Sequence, residues 1–163
     1  MSARLLILLL ALAAPAATEE FVVLRTNEGD LVVALDEVAA PRHAERFLSL
    51  ARSGAYDGTS VAFLSPGFLA QFGSAKGSER LPPLKGEFGA LHARGRLSMC
   101  RDPGDPDSAV SSFCILLSEA PHMDGKYTVF GRVVRGYPVL EALEAEPRGA
   151  QYGMPRLGQR IPK

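Results

Sequence analysis

The chain has 163 residues, 47% hydrophobic and 22% charged, and its 18 Lys+Arg balance 18 Asp+Glu to a formal net charge of zero. That length suits one domain with a buried core plus a short additional segment. A balanced surface without a basic block excludes electrostatic capture of nucleic acid or of an anionic membrane face.

Arg4 precedes an unbroken apolar run, Leu5 to Ala14, which is followed by Pro15-Ala16-Ala17 and then Glu19-Glu20. A bilayer-spanning helix needs about 20 apolar residues, more than this run supplies. A basic start, a leucine-rich centre and small residues at the end predict a cleavable export signal over residues 1–16. Cleavage after Ala16 is the first choice and after Ala17 the second; an uncleaved anchor or a buried helix is the other reading. No cysteine follows the run, so a lipid-anchor site is not expected. The domain over residues 17–163 is therefore expected outside the cytoplasm, periplasmic or secreted, with no stable membrane anchor and in an oxidising compartment.

Two β-prone runs come next, Phe21 to Leu24 and Leu31 to Leu35. Between them Asn27-Glu28-Gly29-Asp30 supplies residues that tolerate positive φ, which predicts a hairpin. Pro41 suits the first turn of a helix. Ala44, Phe47, Leu48 and Ala51 recur at helical spacing, and Gly54 can end the helix in the left-handed conformation. Short apolar runs follow at Val61–Leu64, Phe68–Phe72, Leu97–Cys100, Phe113–Leu117 and Tyr127–Val134, punctuated by glycine and proline. That habit predicts an all-β barrel or sandwich. A second short helix is predicted over Pro138 to Glu144, and Ile161 is available for a last edge strand. The pattern is one mainly β domain with two helices.

Several stretches, in order, resemble the cyclophilin family. They are Tyr56-Asp57-Gly58-Thr59, Pro66-Gly67-Phe68-Leu69-Ala70-Gln71, Leu97-Ser98-Met99, Asp105-Pro106-Asp107-Ser108, and Pro121 through Gly131. The resemblance runs from about Phe21 to the second helix. It implies a closed eight-stranded antiparallel barrel capped by two α-helices, and rotation about the peptide bond before a proline. That barrier, about 18–20 kcal/mol, comes from amide resonance. Lowering it requires an apolar pocket for the proline ring and donors fixed to favour the twisted amide, without nucleophile, metal or cofactor. By the resemblance, Phe68, Leu69 and Met123 line the pocket, His122 stands at its rim, and Gln71 hydrogen-bonds the peptide backbone. Taken singly, Phe68, Leu69 and Met123 also read as ordinary core.

Three departures bear on activity. Relatives read Phe-His-Arg-Val where this chain reads Val61-Ala62-Phe63-Leu64, so Phe63 occupies the position of the catalytic arginine. A phenyl ring offers no donor to the proline nitrogen; losing one preorganised donor costs on the order of 10²–10³ in rate in other enzymes. Cys114 replaces a phenylalanine of the pocket floor, and Phe72-Gly73-Ser74 stands where relatives carry Gly-Gly-Asp. Arg101 is expected as a peptide contact at the groove rim, with substitution for the missing cation as the other reading. Weak isomerase activity on exported clients is the expectation, with a non-catalytic proline-peptide-binding chaperone or assembly module as the alternative. A monomer is expected.

The remaining titratable and sulfur-bearing residues give weaker signals. Cys100 and Cys114 lack Cys-x-x-Cys spacing, and His43, His92 and His122 lack paired ligand spacing, so no metal is expected. If Cys100 lies opposite Ser112, Cys114 is its diagonal neighbour, ~7–8 Å away and slightly beyond disulfide reach. Free core thiols, and a pair able to oxidise and stiffen the groove, are both open. Asp102, Asp105 and Asp107 lack the downstream glutamate of a calcium loop and read as a tight surface turn.

Overall fold

Alternation along β4 (Leu69–Phe72) shows how the sheet divides the molecule: Ala70 and Phe72 face one hydrophobic cluster, Leu69 another, and Gln71 is half-exposed. The computed structural model describes residues 19–145 and the backbone of 156–158. The expected export signal and the Ile161 edge strand lie outside the described residues.

The other strands are β1 (Phe21–Thr26), β2 (Gly29–Leu35), β3 (Val61–Ser65), β5 (Arg96–Met99), β6 (Phe113–Leu116), β7 (Val129–Arg135) and β8 (Arg156–Gly158). They form one curled antiparallel sheet in the order β3-β4-β6-β5-β7-β2-β1-β8. Among the described residues β3 and β8, the ends of that order, are not paired with each other. The eight strands and their direction match expectation, and the described pairings leave out the expected closure. Three one-residue bulges bend the sheet, at Ala62 in β3 and at Phe130 and Val134 in β7.

Two α-helices accompany the sheet among the described residues, α1 (Pro41–Arg52) and α2 (Tyr137–Ala145). Pro41 opens α1, and Gly54 follows its end at φ +70°, as the sequence predicts. Phe47 projects from α1 into an aromatic core. Its ring centroid lies 5.1 Å from Phe113 and 5.0 Å from Phe130, while Phe72 stacks on Phe113 at 4.8 Å. Tyr56 joins this core and donates its buried hydroxyl to the Ser111 carbonyl at 2.7 Å. On α2, Val139, Leu140 and Leu143 are buried in the same core. Neither helix is long and apolar enough to cross a membrane.

Candidate active site

A transverse row of residues crosses the outer face of the sheet. Phe63 on β3 pairs with Gln71 on β4, Gln71 with Cys114 on β6, and Cys114 with Ser98 on β5. Directly opposed residues in an antiparallel ladder point to the same face. Phe63, Gln71 and Cys114 therefore form one continuous strip, graded from exposed to half-buried to buried. The bulge at Ala62 makes this possible. Val61 pairs with Phe72 in the core, yet Phe63, two residues on, stands outside at 55% exposure. Without the extra residue, positions two apart would share a face.

Beside the strip lies a second hydrophobic cluster, separate from the aromatic core. It contains Leu69, Cys114, Leu116, Ala120 and Met123, with Phe68, Cys100 and Tyr127 packed against it. Leu69 pairs with Leu116, so the floor continues one row along the ladder. Met123 comes from a single 3-10 turn, Pro121–Met123, whose N–H of Met123 bonds the Ala120 carbonyl at 2.9 Å. His122 of that turn is exposed and lies 5.5 Å from Phe68, ring centroid to centroid. The structure thus brings Phe63, Phe68, Leu69, Gln71, Cys114, Met123 and His122 onto one face. Phe72 does not join them: it turns into the core.

The Gln71 amide has no side-chain hydrogen-bond partner among the described residues and is half-exposed. It is a donor and acceptor available to a bound backbone. Arg101 is differently placed. Its Nε donates to the Lys126 carbonyl at 2.9 Å and its Nη1 to the Asp102 carbonyl at 2.8 Å. Its guanidinium lies 4.2 Å over the Tyr127 ring, which itself packs on the second hydrophobic cluster. These contacts hold Arg101 against Tyr127 and occupy two of its donor groups.

A buried polar relay fixes the turn that carries Met123. His92, 2% exposed, has Nδ1 at 2.8 Å from Asp124 Oδ1 and Nε2 at 2.9 Å from Ser98 Oγ. The His92 backbone N–H also donates to Asp124 Oδ1, at 2.8 Å. Together these hydrogen bonds from His92, backbone first and ring second, hold the Asp124 carboxyl below its ordinary range. Ser98 belongs to the strip, so the relay ties the floor to the wall. The sequence offered His92 only as a scattered histidine, and its partners stand 6 and 32 residues away. Asp105 is spent within the surface turn, accepting from the Asp107 N–H at 2.9 Å, and Asp107 ties the turn to a distant loop by accepting from the Gly86 N–H at 2.9 Å.

Sequence and fold both match known proteins. The family model described as cyclophilin type peptidyl-prolyl cis-trans isomerase/CLD matches residues 21–159. A probable peptidyl-prolyl cis-trans isomerase of Brucella suis biovar 1 (strain 1330) is 32% identical over 148 residues, 81% of this chain and 75% of that protein. The Arabidopsis thaliana peptidyl-prolyl cis-trans isomerase CYP18-1 is 37% identical over 144 residues, 78% of this chain and 84% of that protein. Among solved structures, a Cryptosporidium parvum cyclophilin type isomerase in the presence of the dipeptide Ala-Pro aligns at TM-score 0.76 and 27% identity, covering 84% of this chain and 96% of that one. Family model, relatives and fold agree, and the chain belongs to the cyclophilin-type peptidyl-prolyl cis-trans isomerase family.

Proposed function

We propose that the groove binds proline-containing segments of protein clients and that the chain isomerises the bond before proline slowly by the standard of its family. Phe63 carries this reading: it stands directly across from Gln71, on the face and in the row that a catalytic donor would need. The proline ring would rest on Leu69, Met123 and Cys114, flanked by Phe68 and His122, with Gln71 bonding the peptide backbone. The cluster supplies apolar surface, and Gln71 supplies one polar group to set the register. No guanidinium faces the amide nitrogen from position 63, and Arg101 is engaged with carbonyls and Tyr127. Transition-state stabilisation is reduced more than binding.

The alternative, a binder without catalysis, rests on the same residue. An exposed phenyl beside a proline pocket adds contact area for a peptide without acting on its amide. Clients are exported proteins in this reading, supported by the signal-like pattern over residues 1–16, and the working unit is a monomer with no nucleic-acid partner. Closure of the sheet into a full barrel is part of the same proposal, supported by its curl and by the family.

Exchange NMR of a short X-Pro peptide, comparing the protein with Phe63→Arg, tests it. The expected result is weak exchange enhancement by the protein and an increase of about 10²-fold or more with the arginine. Equal enhancement by both would show that another group supplies the donor and would overturn the reading.

A further inference from the structure

Cys100 and Cys114 occupy a position that peptide binding alone does not explain. Cys114 pairs with Ser98 and Met99 with Phe113, while the Cys100 N–H bonds the Ser112 carbonyl at 2.8 Å. Cys114 is therefore the diagonal neighbour of Cys100 across β5 and β6, on the same face. Both belong to the groove: Cys114 is a member of the pocket cluster, and Cys100 packs against it. Both are free thiols. Their exposure is asymmetric, Cys100 being partly exposed and Cys114 2% exposed.

We propose that Cys100 and Cys114 form a dithiol modification site in the groove floor, oxidised by a low-molecular-weight disulfide, and that the resulting bond removes the pocket from use. The inference rests on the reading of this face as a peptide groove. Access dictates the order of events. The Cys100 sulfur attacks one sulfur of the small disulfide, forming a mixed disulfide and releasing one thiolate. Cys114 then attacks the Cys100 sulfur, its proton passing to the second departing thiolate. Two thiols of the protein lose two electrons and two protons, and one small disulfide becomes two thiols.

The ionisation of the pair agrees with that order. A hydrogen bond with Cys114 lowers the pKa of Cys100 against the opposing effect of burial, and Ser112 adds a second hydrogen bond. The same contact, reinforced by burial, raises Cys114 well above an ordinary thiol. The nucleophile is thus the more accessible sulfur. Geometry supplies the consequence. Diagonal neighbours in a ladder stand ~7–8 Å apart, against ~4.4–6.8 Å between the Cα atoms of a disulfide. Closing the bond requires β5 and β6 to shift, which moves Cys114 away from its contacts with the Leu69 and Met123 wall. Strained disulfides are the readily reduced ones, so the change is reversible.

Titrating the intact protein with glutathione disulfide and reading mass and denatured thiol count tests the site without reference to activity. Loss of two hydrogens, a peptide map linking 100 to 114, and a mixed disulfide only at Cys114 or none in Cys100→Ser support it. Two thiols still free under excess oxidant, or two separate mixed disulfides, would overturn it. X-Pro peptide binding by NMR before oxidation, after it, and after added reductant tests the gating. Binding about tenfold weaker in the oxidised form, regained on reduction, is expected from a pocket altered by a methylene-sized volume or more. Equal binding in both forms would overturn gating. Absence of peptide binding in the reduced protein would sink the groove reading, leaving the mass data to decide the dithiol site.

Discussion

Glu87 caps a helix it is far from in sequence: its Oε2 lies 2.6 Å from His43 Nδ1 and 3.1 Å from His43 N, 44 residues back. Its Oε1 accepts from the Arg42 backbone N–H at 3.3 Å. Ala40, at the start of α1, makes no side-chain capping hydrogen bond. The carboxylate thus satisfies two amides of the first turn and places negative charge at the positive end of the helix.

Glu87→Ala is expected to cost about 1–2 kcal/mol, the scale of a lost helix cap. Urea denaturation monitored by circular dichroism measures it. An unchanged midpoint would mean that water replaces the carboxylate without loss.

The same contact predicts a pH dependence. Burial lowers the pKa of His43, and the hydrogen bond and charge of Glu87 only partly offset that. The unfolded histidine titrates near 6.5. Below that pH the unfolded chain takes up a proton that the folded chain resists, so stability falls as pH drops from about 6.5 toward the lowered folded value. Denaturation midpoints at neutral pH and near pH 5.5 should diverge more in the unmodified protein than in His43→Gln. Equal declines would assign the effect to other groups.

Gly131 lies where three strands meet, opposite Leu35 of β2 and Leu97 of β5. A Cβ there would stand 2.8 Å from the Ala34 carbonyl oxygen, against backbone that cannot step aside. Gly131→Ala should destabilise the fold by about 1–3 kcal/mol, as overpacking does. Scanning calorimetry reads this directly, and an unshifted transition would show that β2 and β7 slide apart freely.

Gln71 separates binding from stability. Among the described residues its side chain has no hydrogen bond to lose, so Gln71→Ala should leave folding stability within about 0.5 kcal/mol. Affinity for an X-Pro peptide should fall by about three- to tenfold, the worth of one hydrogen bond. Unchanged affinity in an NMR titration would place the peptide backbone elsewhere.

Local pattern made much of this fold legible. The hairpin at Asn27–Asp30, Pro41 and Gly54 at the ends of α1, and each apolar run fall where period and turn chemistry put them. The second helix is longer by one residue at each end, Tyr137–Ala145 rather than Pro138–Glu144, because the helical turn begins before its proline. What stayed hidden was non-local. Nothing near Pro41 announces that Glu87 caps it, and nothing around His92 announces Asp124 and Ser98. The bulge at Ala62 defeats alternation outright, since Val61 and Phe63 have the same parity and opposite faces. Periodicity alone would have buried Phe63 with Val61, whereas it stands exposed beside Gln71. Apolar composition likewise could not say that Leu69 and Met123 belong to a different cluster from Leu64 and Phe72; strand pairing decides that.

The segregation of two apolar clusters by one sheet has an evolutionary meaning. Along β4 and β6, odd and even positions answer to different constraints: Phe72, Phe113 and Ile115 hold the interior, while Gln71, Cys114 and Leu116 lie on the opposite face. Drift on that opposite face leaves the interior untouched. A lineage can therefore change side chains on that face while the scaffold that presents them keeps its shape, and new chemistry can be tried there one face at a time.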